Sequence, residues 1–444
     1  MPDHATSTDP AVQAQLDRLW SLSPGADVLG LGRITRLLAR LGDPHVSLPP
    51  VFHVAGTNGK GSTCAFLRAA LEAAGHRVHV YTSPHLVRFN ERIRLAGRLI
   101  DDAALAPLLA EVLDAGGDIG ASFFEVTTAA AFLAFARTPA DACVIEVGLG
   151  GRLDATNVVR PVATGIAALG IDHQAFLGET IEAIAAEKAG IAKPGVPLAT
   201  LDYPAGIEEV IAQVAATAGA QLLRARREWR HGLDATGDTL TYRDAQGLLT
   251  LPAPRLAGRH QADNLALAVA MLRHQQAVHV PPLAIEAGPA AATWPARLQR
   301  LGDGPLVALL PARTPVWLDG GHNPSAGAAI AASLPALRGA AAGGDRPLTL
   351  VLGMLANKDL AGFLAPFAPM VGTVVAVPVP GHEHHAPDAI LAAARGLGIA
   401  AGRVAADVPA ALRAIAQDAP AGVLMAGSLY LAGEVLAAND EQPR

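Results

Sequence analysis

The sequence predicts an α/β protein with two domains, each built on a mainly parallel β-sheet. Short apolar runs of strand length alternate with Ala- and Leu-rich runs of helical length, and this alternation is typical of strands joined by crossover helices. It stops at a proline-rich stretch near residue 290 and then starts again. The 444 residues are 51% hydrophobic, so the chain can bury a large core.

The strands and helices expected in residues 1–290 follow from apolar runs and their boundaries. The expected strands are Val51–Ala55, Val78–Tyr81, Ala142–Val147, Ala163–Ala167 and Pro197–Leu201. The expected helices are Ser62–Ala74, Glu125–Ala136, Thr180–Ala189 and Asn264–Gln276. Residues 221–252 contain short alternating segments with Gly and Asp turns, which predicts antiparallel strands appended to the sheet.

A linker is expected where prolines accumulate, and it divides the chain into domains of residues 1–290 and 291–444. The prolines are Pro281, Pro282, Pro289 and Pro295. Beyond them, strands followed by helices are expected at Val316–Leu318, Leu348–Leu352, Thr373–Val379 and Val423–Ala426. This second alternation predicts another α/β domain with a parallel sheet.

Charge and hydropathy exclude several classes of protein. The net charge of −6 provides no broad attraction for phosphate backbones, so no nucleic-acid partner is expected. No apolar run reaches the length of a membrane span, and the polar N-terminus lacks the features of a secretory signal. A cytoplasmic protein without membrane association is therefore expected. Cys64 and Cys143 lie in apolar segments and are expected to be small buried side chains.

A glycine-rich loop joins the first of these strands to the helix that follows it. It reads Gly56-Thr57-Asn58-Gly59-Lys60-Gly61-Ser62. Glycines let backbone N–H groups approach phosphate oxygens, and the helix N-terminus attracts negative charge. Lys60 would neutralise phosphate charge, and Ser62 could approach a metal ion. Because Gly61 separates Lys60 from Ser62, the loop departs from the Walker A pattern, and a turn without a ligand remains the alternative.

Ionisable residues end two further predicted strands. Glu146 ends an apolar strand, and Asp172 and His173 follow another. The carboxyl ends of parallel strands meet at the edge where open α/β sheets bind ligands. A carboxylate there needs compensation, for which Mg²⁺ is the candidate and an ion pair with Arg the alternative. His173 could instead be structural, and Lys188 could be a surface lysine of its Ala-rich helix.

Two histidine-containing segments of the second domain are weaker signals. Asp319 and His322 follow a predicted strand, which is again a typical active-site position. His382, His384 and His385 are expected to lie in a solvated loop rather than to hold a metal ion.

In order and spacing, the motifs resemble the folylpolyglutamate synthase/dihydrofolate synthase family of the Mur ligase superfamily. They are GTNGKGS, SPHL, EVGLGGRLDATN, DH, EKAGI, HNP, KD and GSLYL, and the resemblance extends from about Leu29 to Leu436. It implies an N-terminal P-loop ATPase domain with a small antiparallel addition, which binds ATP, Mg²⁺ and the pterin. It also implies a C-terminal Rossmann-like glutamate-ligase domain.

The resemblance implies an ATP-dependent amide ligase. A pterin-linked carboxylate would attack the γ-phosphate of ATP to give an acyl phosphate, and the nitrogen of L-glutamate would then attack the acyl carbon. The set of motifs resembles the bifunctional bacterial enzymes, which act on dihydropteroate and on reduced folates. A monomer is the family expectation.

The resemblance also implies roles for individual residues. Phosphate and nucleotide contacts fall on Asn58, Gly59, Lys60, Gly61, Ser62, Asn264, Arg297 and Asp319. Ser83 and Glu146 would hold one Mg²⁺ and His173 a second, while Lys188 matches a lysine that is carbamylated in the family. His322 and Ser428 match positions near the incoming glutamate. The residues expected to act in catalysis are Lys60, Glu146, His173, Lys188 and His322.

Three segments resemble the parts of the family that contact the pterin. Their residues are Leu29, Gly30, Leu31, Ser122, Phe123, Phe124, Glu125, Leu153, Asp154 and Ala155. The chain departs from the family pattern at Gly321, where Ala is usual, and at Ala296, where Gly is common. Ala296 would be strained if its position requires a positive φ.

Three alternative functions remain open at this point. One is a monofunctional folylpolyglutamate synthase, and another is a Mur-type ligase that joins an amino acid to a nucleotide-linked cell-wall precursor. The third is a nucleotide-binding regulator that has lost catalysis. About 50 residues before the glycine-rich loop leave little room for the separate uridine-nucleotide domain of Mur enzymes.

Overall fold

The computed structural model describes residues 6–22, 29–339 and 347–443, which form two compact units. The N-terminal unit comprises residues up to Arg255 together with Gln261–Thr293. The C-terminal unit comprises Leu256–His260 and Trp294–Pro443. Each unit has its own sheet and its own apolar core.

The N-terminal unit alternates strands and helices along most of its length. Its helices are α1 Pro10–Ser21, α2 Gly32–Arg40, α3 Lys60–Ala73, α4 Asp102–Gly116, α5 Phe123–Arg137, α6 Gln174–Leu177, α7 Ile181–Ala189, α8 Ala205–Ala218, α9 His260–Arg273 and α10 Pro282–Ala291. Its strands are β1 Val51–Ala55, β2 Val78–Tyr81, β3 Ile93–Leu95, β4 Arg98–Leu99, β5 Ala142–Glu146, β6 Ala163–Ile166, β7 Pro197–Thr200, β8 Gln221–Arg224, β9 Trp229–Leu233, β10 Thr239–Asp244 and β11 Gly247–Pro252.

Eight of these strands form one sheet in the order β4-β3-β2-β5-β1-β6-β7-β8. Strands β2, β5, β1, β6, β7 and β8, which are neighbours in that order, pair in parallel. Only the pairs β2–β3 and β3–β4 at one edge are antiparallel. The central strands β1 and β5 are buried at every residue, as their unbroken apolar runs predict. The α/β class and the mainly parallel sheet are therefore confirmed.

Two predictions for the N-terminal unit are wrong. Gln221–Arg224 is a parallel strand of the main sheet, and only β9 to β11 form the antiparallel addition, as a separate three-stranded sheet. The proline-rich linker contains the helix α10, because proline at the first helical position leaves no hydrogen bond unmade. Gly288 of α10 packs on Ala70 of α3, where an added β-carbon would lie 3.4 Å away.

The C-terminal unit carries a six-stranded sheet in the order β12-β13-β17-β14-β15-β16. Its strands are β12 Gln299–Arg300, β13 Val316–Leu318, β14 Leu348–Leu352, β15 Val371–Ala376, β16 Ala401–Val404 and β17 Val423–Ala426. Its helices are α11 Pro324–Gly339, α12 Leu360–Leu364, α13 Pro387–Gly396, α14 Val408–Ala416 and α15 Leu429–Ala438. All neighbouring strands are parallel except β12 and β13, so the predicted second α/β domain is confirmed.

The two cysteines and the helix lengths bear on the expected character of the chain. Cys64 and Cys143 are buried free thiols, as expected. Across the described ranges, no helix combines the length and the apolar character that crossing a bilayer requires.

Candidate active site

The glycine-rich loop lies between the end of β1 and the start of α3. Gly56 and Gly59 have φ values of 151° and 84°, which a side chain would strain. The N–H groups of Thr57 and Asn58 donate to Ala168 O at 2.9 and 3.0 Å. These hydrogen bonds tie the loop to the chain that follows β6, which fixes it at the carboxyl edge of the sheet.

Thr57 adds a side-chain link between the same two segments. Its Oγ1 donates to Gly170 O at 3.0 Å and accepts from Gly170 N at 3.1 Å. Gly170 lies two residues before Asp172. The glycine-rich loop and the segment that carries Asp172 and His173 are thus joined by a reciprocal pair of hydrogen bonds.

Asn264 packs directly on the glycine-rich loop. A β-carbon at Gly59 would overlap Asn264 Oδ1, so only glycine allows this approach. Asn264 is buried on α9, and its Nδ2 donates to Gln261 Oε1 at 3.0 Å. The structure therefore brings Asn58, Gly59 and Asn264 together.

Lys60, Glu146 and Ser83 form one cluster at the carboxyl edge. Lys60 is the first residue of α3, and its Nζ lies 4.0 Å from Glu146 Oε1. The N–H of Ser83 donates to Glu146 Oε2 at 3.4 Å. Glu146 is only 5% exposed, so Lys60 supplies part of the compensation that a buried carboxylate needs.

The first turn of α3 carries a hydroxyl with no protein partner. Ser62 Oγ is buried and makes no hydrogen bond to any residue that the structure describes. Gly61 beside it is also buried. By contrast, Thr63 Oγ1 donates to Gly59 O at 3.0 Å. Ser62 therefore offers an unused polar atom next to Lys60.

Asp172 and His173 follow β6, as the sequence predicts. His173 is the N-cap residue of α6 and has φ 53°. Its N–H donates to Asp172 Oδ1 at 2.9 Å. The Asp172 side chain is 9% exposed, whereas that of His173 is 46% exposed. The imidazole is accordingly accessible from solvent.

Lys188 is buried, which excludes the alternative of a surface lysine. It is 4% exposed, and its Nζ donates to Gly56 O at 2.9 Å. Burial, together with the charge of Lys60, lowers the pKa of Lys188 to about 7. A large share of its amine is therefore neutral and nucleophilic near neutral pH.

The segments predicted to contact a pterin lie around α5 and the turn after β5. Ser122 caps α5, and Glu125 Oε2 accepts from Ser122 N at 2.7 Å. Arg33 Nε donates to the same Glu125 oxygen at 2.8 Å. Glu125 Oε1 is buried without a hydrogen-bond partner among the described residues, so it is available as an acceptor.

The other predicted pterin residues differ in their surroundings. Phe124 packs on Gly148, where a β-carbon would overlap its ring. Phe123 packs edge-on against Phe89, with ring centroids 6.1 Å apart. Leu31 precedes α2 and packs against the same apolar core; Leu29 and Gly30 lie in the coil before it. Leu153, Asp154 and Ala155 lead into a short 3-10 turn.

In the C-terminal unit, Arg297 and Asp319 lie beside β13. Asp319 accepts the N–H groups of Leu298 at 2.8 Å and Gly321 at 2.7 Å. Arg297 Nη1 donates to Ala296 O at 2.8 Å. Ala296 has a positive φ of 54°, so the backbone strain expected for alanine at such a position is present.

Gly321, the second departure from the family pattern, occupies a crowded position. A β-carbon there would lie 2.7 Å from Ile330 Cδ1 and 3.0 Å from Asp319 Oδ1. An alanine would therefore require Ile330 to move.

His322 and Ser428 lie at the carboxyl ends of β13 and β17. A hydrogen bond of 2.9 Å joins His322 Nδ1 to Gly320 O, with Nδ1 as the donor. Ser428 is buried and caps α15, with its Oγ accepting from Tyr430 N at 3.1 Å.

The three neighbouring histidines lie in a loop, as predicted, and are half-buried there rather than fully solvated. The His382 ring stacks on Tyr430 with centroids 3.8 Å apart, and His385 Nε2 bonds Lys358 O at 2.9 Å. His384 Nδ1 bonds His382 O at 2.7 Å. Over the described ranges, no cluster of three or more His, Cys, Asp or Glu side chains could hold a metal ion.

Sequence reasoning missed two residues that stabilise the predicted site. Arg33 lies outside the motifs and bonds Glu125. Thr57 lies inside the glycine-rich motif but was given no role, and it bonds Gly170. Arg33 lies 92 residues from its partner Glu125, so no local spacing links them. Thr57 stands inside the glycine-rich motif, and its hydroxyl was the signal that could have identified it.

Comparisons with known proteins identify two family domains in the chain. The Mur ligase middle domain matches residues 54–272, and the Mur ligase glutamate ligase domain matches residues 306–429. The folylpolyglutamate synthase of Lacticaseibacillus casei is 36% identical over 417 residues, covering 91% of this chain and 92% of that protein. The dihydrofolate synthase/folylpolyglutamate synthase of Escherichia coli K12 is 38% identical over 354 residues, covering 80% and 78%.

This chain belongs to the dihydrofolate synthase/folylpolyglutamate synthase family of Mur ligases. It is an ATP-dependent ligase with both activities of that family. Membership favours this function over a cell-wall ligase, a monofunctional enzyme or an inactive regulator.

Solved structures of this family match the whole fold. Escherichia coli FolC in complex with DHPP and ADP superposes with a TM-score of 0.85 at 35% identity, covering 99% of both chains. The bifunctional Yersinia pestis enzyme with AMPPNP and Mn ion gives a TM-score of 0.84 at 33% identity, covering 99% of both chains. A related structure has Mn, AMPPNP and L-glutamate bound and a TM-score of 0.83 at 33% identity, covering 98% of this chain and 99% of that one.

Proposed function

We propose that this chain forms an amide bond between the carboxylate of dihydropteroate, or of a reduced folate, and the amino group of L-glutamate, driven by ATP. The observation that carries the proposal is the cluster of Lys60, Glu146, Ser83 and Lys188 around the glycine-rich loop. The relatives crystallised with DHPP and ADP, and with AMPPNP and L-glutamate, support the same substrates here.

Residues of the glycine-rich loop are suited to hold the phosphates of ATP. Asn58, Gly59, Gly61 and Ser62 would offer backbone N–H groups and one hydroxyl, at the positive end of the α3 dipole. Lys60 would neutralise charge that develops on the transferred phosphoryl group. Asn264 would contact the nucleotide from its position against Gly59.

The donor set at Glu146 fits Mg²⁺. One carboxylate and one hydroxyl-bearing residue, Ser83, lie together there, and Mg²⁺ takes its remaining ligands from water and substrate phosphates. His173, with an accessible ring, would serve a second ion. The metal would supply charge neutralisation and orientation of the phosphates.

Lys188 has the properties that carbamylation requires. Its pKa of about 7 leaves the neutral amine available to attack carbon dioxide, forming a C–N bond and releasing one proton. The product is a buried carboxylate in place of a buried ammonium. That change would reverse the repulsion between Lys188 and Lys60 and would create a further oxygen ligand near the phosphate loop.

The two chemical steps follow from the substrates. The carboxylate oxygen attacks the γ-phosphorus of ATP, ADP leaves, and an acyl phosphate forms. The glutamate nitrogen then attacks the acyl carbon, phosphate leaves with the former carboxylate oxygen, and the nitrogen loses a proton. The pocket must exclude water because an acyl phosphate hydrolyses readily.

Binding of the acceptor is proposed for the segments around α5. The free Glu125 Oε1 and the ring of Phe124 provide a hydrogen-bond acceptor and an apolar face, which suit a flat pterin with N–H donors. The remaining proposed contacts are Leu29, Gly30, Leu31, Ser122, Phe123, Leu153, Asp154 and Ala155.

For the C-terminal unit, we assign nucleotide contacts to Arg297 and Asp319, and contacts with the incoming glutamate to His322 and Ser428. The His322 imidazole, oriented by its hydrogen bond to Gly320 O, is a polar group suited to contact an amino acid. We further propose a monomeric, cytoplasmic protein without a nucleic-acid or membrane partner, as its charge and hydropathy favour.

Phosphate release tests the function directly. The wild-type chain is incubated with ATP, Mg²⁺ and L-glutamate, with either dihydropteroate or tetrahydrofolate as acceptor. Release with both acceptors is expected. Release with tetrahydrofolate alone would contradict the dihydrofolate synthase activity, and release with neither would contradict the proposed reaction.

A further inference from the structure

A chain of buried polar contacts runs from the strand before the glycine-rich loop to the turn after β5. His53 on β1 is 0% exposed, and its Nε2 lies 2.9 Å from Thr156 Oγ1. Thr156 Oγ1 in turn bonds Asp154 Oδ1. His53 and Thr156 are 103 residues apart in sequence, and all three residues are buried.

The donors and acceptors among His53, Thr156 and Asp154 follow from their hydrogen-bond partners. Asp154 Oδ1 accepts from both the N–H and the hydroxyl of Thr156, so the Thr156 oxygen is left to accept from His53 Nε2–H. The reverse direction would place a hydrogen on His53 Nδ1, which has no hydrogen-bond partner among the residues described. Burial lowers the pKa of His53 to about 3, so the imidazole stays neutral.

Both oxygens of Asp154 are occupied by the protein. Oδ1 accepts from the Thr156 N–H at 3.0 Å as well as from its hydroxyl, and Oδ2 accepts from Leu149 N–H at 2.8 Å. A carboxylate has about four lone-pair positions. These three donors fix the orientation of the buried Asp154 carboxyl group against the turn.

The turn that Asp154 holds is packed on two parts of the candidate site. Gly148 lies against the ring of Phe124, and Gly151 lies where a β-carbon would come 2.8 Å from the carbonyl oxygens of Glu187 and Lys188. The N–H of Arg152 donates to Glu187 O at 2.8 Å. Movement of the turn would therefore disturb Phe124, whereas the side chain of Lys188 is also held by its own bond to Gly56 O.

We propose that His53 and Thr156 are positioning residues for the acceptor pocket, which act by orienting Asp154 and, through it, the turn of residues 148–151. The contacts with substrate in this region would come from Leu153–Ala155 and from Phe124. This inference rests on the proposed function, because it assigns the pocket beside Phe124 to the acceptor.

Thr156 offers a matched pair of variants. Thr156→Val keeps the shape of the side chain and removes the hydroxyl, whereas Thr156→Ser keeps the hydroxyl. We expect Thr156→Val to raise the KM for dihydropteroate roughly tenfold, equivalent to about 1.4 kcal/mol, and to leave the KM for ATP within about twofold. Thr156→Ser should remain close to wild type.

His53 provides a second pair of variants, which tests the positioning role even if Thr156→Val does not fold. His53→Met removes the Nε2–H donor, and His53→Gln retains an N–H at a similar reach. The methionine variant should show the same rise in the KM for dihydropteroate, and the glutamine variant should recover most of it. Equal effects of Met and Gln, or an equal rise in the KM for ATP, would overturn the proposal.

The wild-type chain separates this proposal from the one on which it rests. Wild-type phosphate release with dihydropteroate, combined with an unchanged KM in Thr156→Val, would contradict the positioning role alone. Absence of wild-type release with either acceptor would contradict the proposed function. Calorimetric titration with dihydropteroate in the presence of AMPPNP then still reports whether Thr156→Val weakens binding relative to Thr156→Ser.

Discussion

The carboxyl edges of the two sheets are built from different interactions. In the N-terminal unit, charged side chains meet one another, as Lys60 meets Glu146, and buried groups such as Ser62 Oγ keep unused bonding capacity. In the C-terminal unit, Asp319 and His322 are bound to nearby backbone groups. The first edge is suited to stabilise charge that develops during a reaction. The second edge is suited to hold the backbone around a ligand in one conformation.

This difference predicts how each edge responds to substitution. Removing a charge at the first edge should affect turnover more than stability, because charged side chains there would stabilise the charge that develops in the transition state. Changing the second edge should affect backbone conformation and therefore stability.

The largest expected effect is at Lys60. Lys60→Met removes the cation beside Glu146 and should lower kcat on the order of 10³-fold. Phosphate release at saturating ATP measures this loss. Lys193→Met is a matched control, since Lys193 Nζ donates to Asn157 O at 2.9 Å and lies outside the cluster. A Lys60→Met enzyme within tenfold of wild type would contradict the charge-based comparison.

Glu146 should give the next largest effect. Glu146→Gln removes the negative charge but keeps the shape, so turnover should fall about a hundredfold and more Mg²⁺ should be needed for half-maximal rate. Thermal melting should change little. The exposed Glu182 on α7 provides the control variant Glu182→Gln. An unchanged Mg²⁺ requirement in Glu146→Gln would remove Glu146 from the metal site.

Lys188 links the first edge to pH. Its folded pKa of about 7 lies below the usual 10.5, so the unfolded chain binds more protons between these values. The free energy of unfolding should therefore rise with pH across about 7 to 10.5, and this dependence should be weaker in Lys188→Met. Urea titrations of both proteins in bicarbonate-free buffer measure it. Identical pH slopes would show that Lys188 is not the group responsible.

The same amine should respond to bicarbonate. If Lys188 is carbamylated, mass on the intact protein should increase by one carbon dioxide, and activity at pH 8 should rise with added bicarbonate. The Lys188→Met protein should show neither change. An increase in Lys188→Met as well would assign the bicarbonate effect to another group.

The smallest effect is expected at the second edge. Ala296 has φ 54°, so Ala296→Gly should relieve strain and raise the free energy of unfolding by about 1 kcal/mol. Ala332 is exposed on α11, and Ala332→Gly should instead destabilise by about 1 kcal/mol. Chemical denaturation of both variants tests the sign. Destabilisation by Ala296→Gly would show that the strain is not costly.

The sequence was most informative where chemistry interrupts a regular pattern. Glu146 interrupts an apolar strand, and Lys60 stands between glycines, so both could be found from local spacing. The helix α10 was missed because prolines usually end helices, yet here Pro282 starts one and Pro289 lies in its last turns. Strand β8 was misassigned because four residues do not distinguish a parallel edge from an antiparallel one.

Contacts between distant segments were not predictable in this way. His53 reads as one more residue of a buried strand, and nothing local connects it with Thr156. Likewise, Arg33 and Glu125 each fit their own helix without indicating the other. Such pairs depend on the order of strands in the sheet and on helix packing, which a single sequence specifies only through the whole fold.

The reciprocal bonds between Thr57 and Gly170 have a consequence for ligand binding. They order the glycine-rich loop and the approach to His173 before any nucleotide arrives. Two loops that are already immobilised lose little further conformational entropy when they close on a ligand. Nucleotide affinity in this chain can therefore reflect contacts with the ligand rather than the work of arranging the loops, which the Thr57 hydroxyl and the backbone bonds to Ala168 have already done.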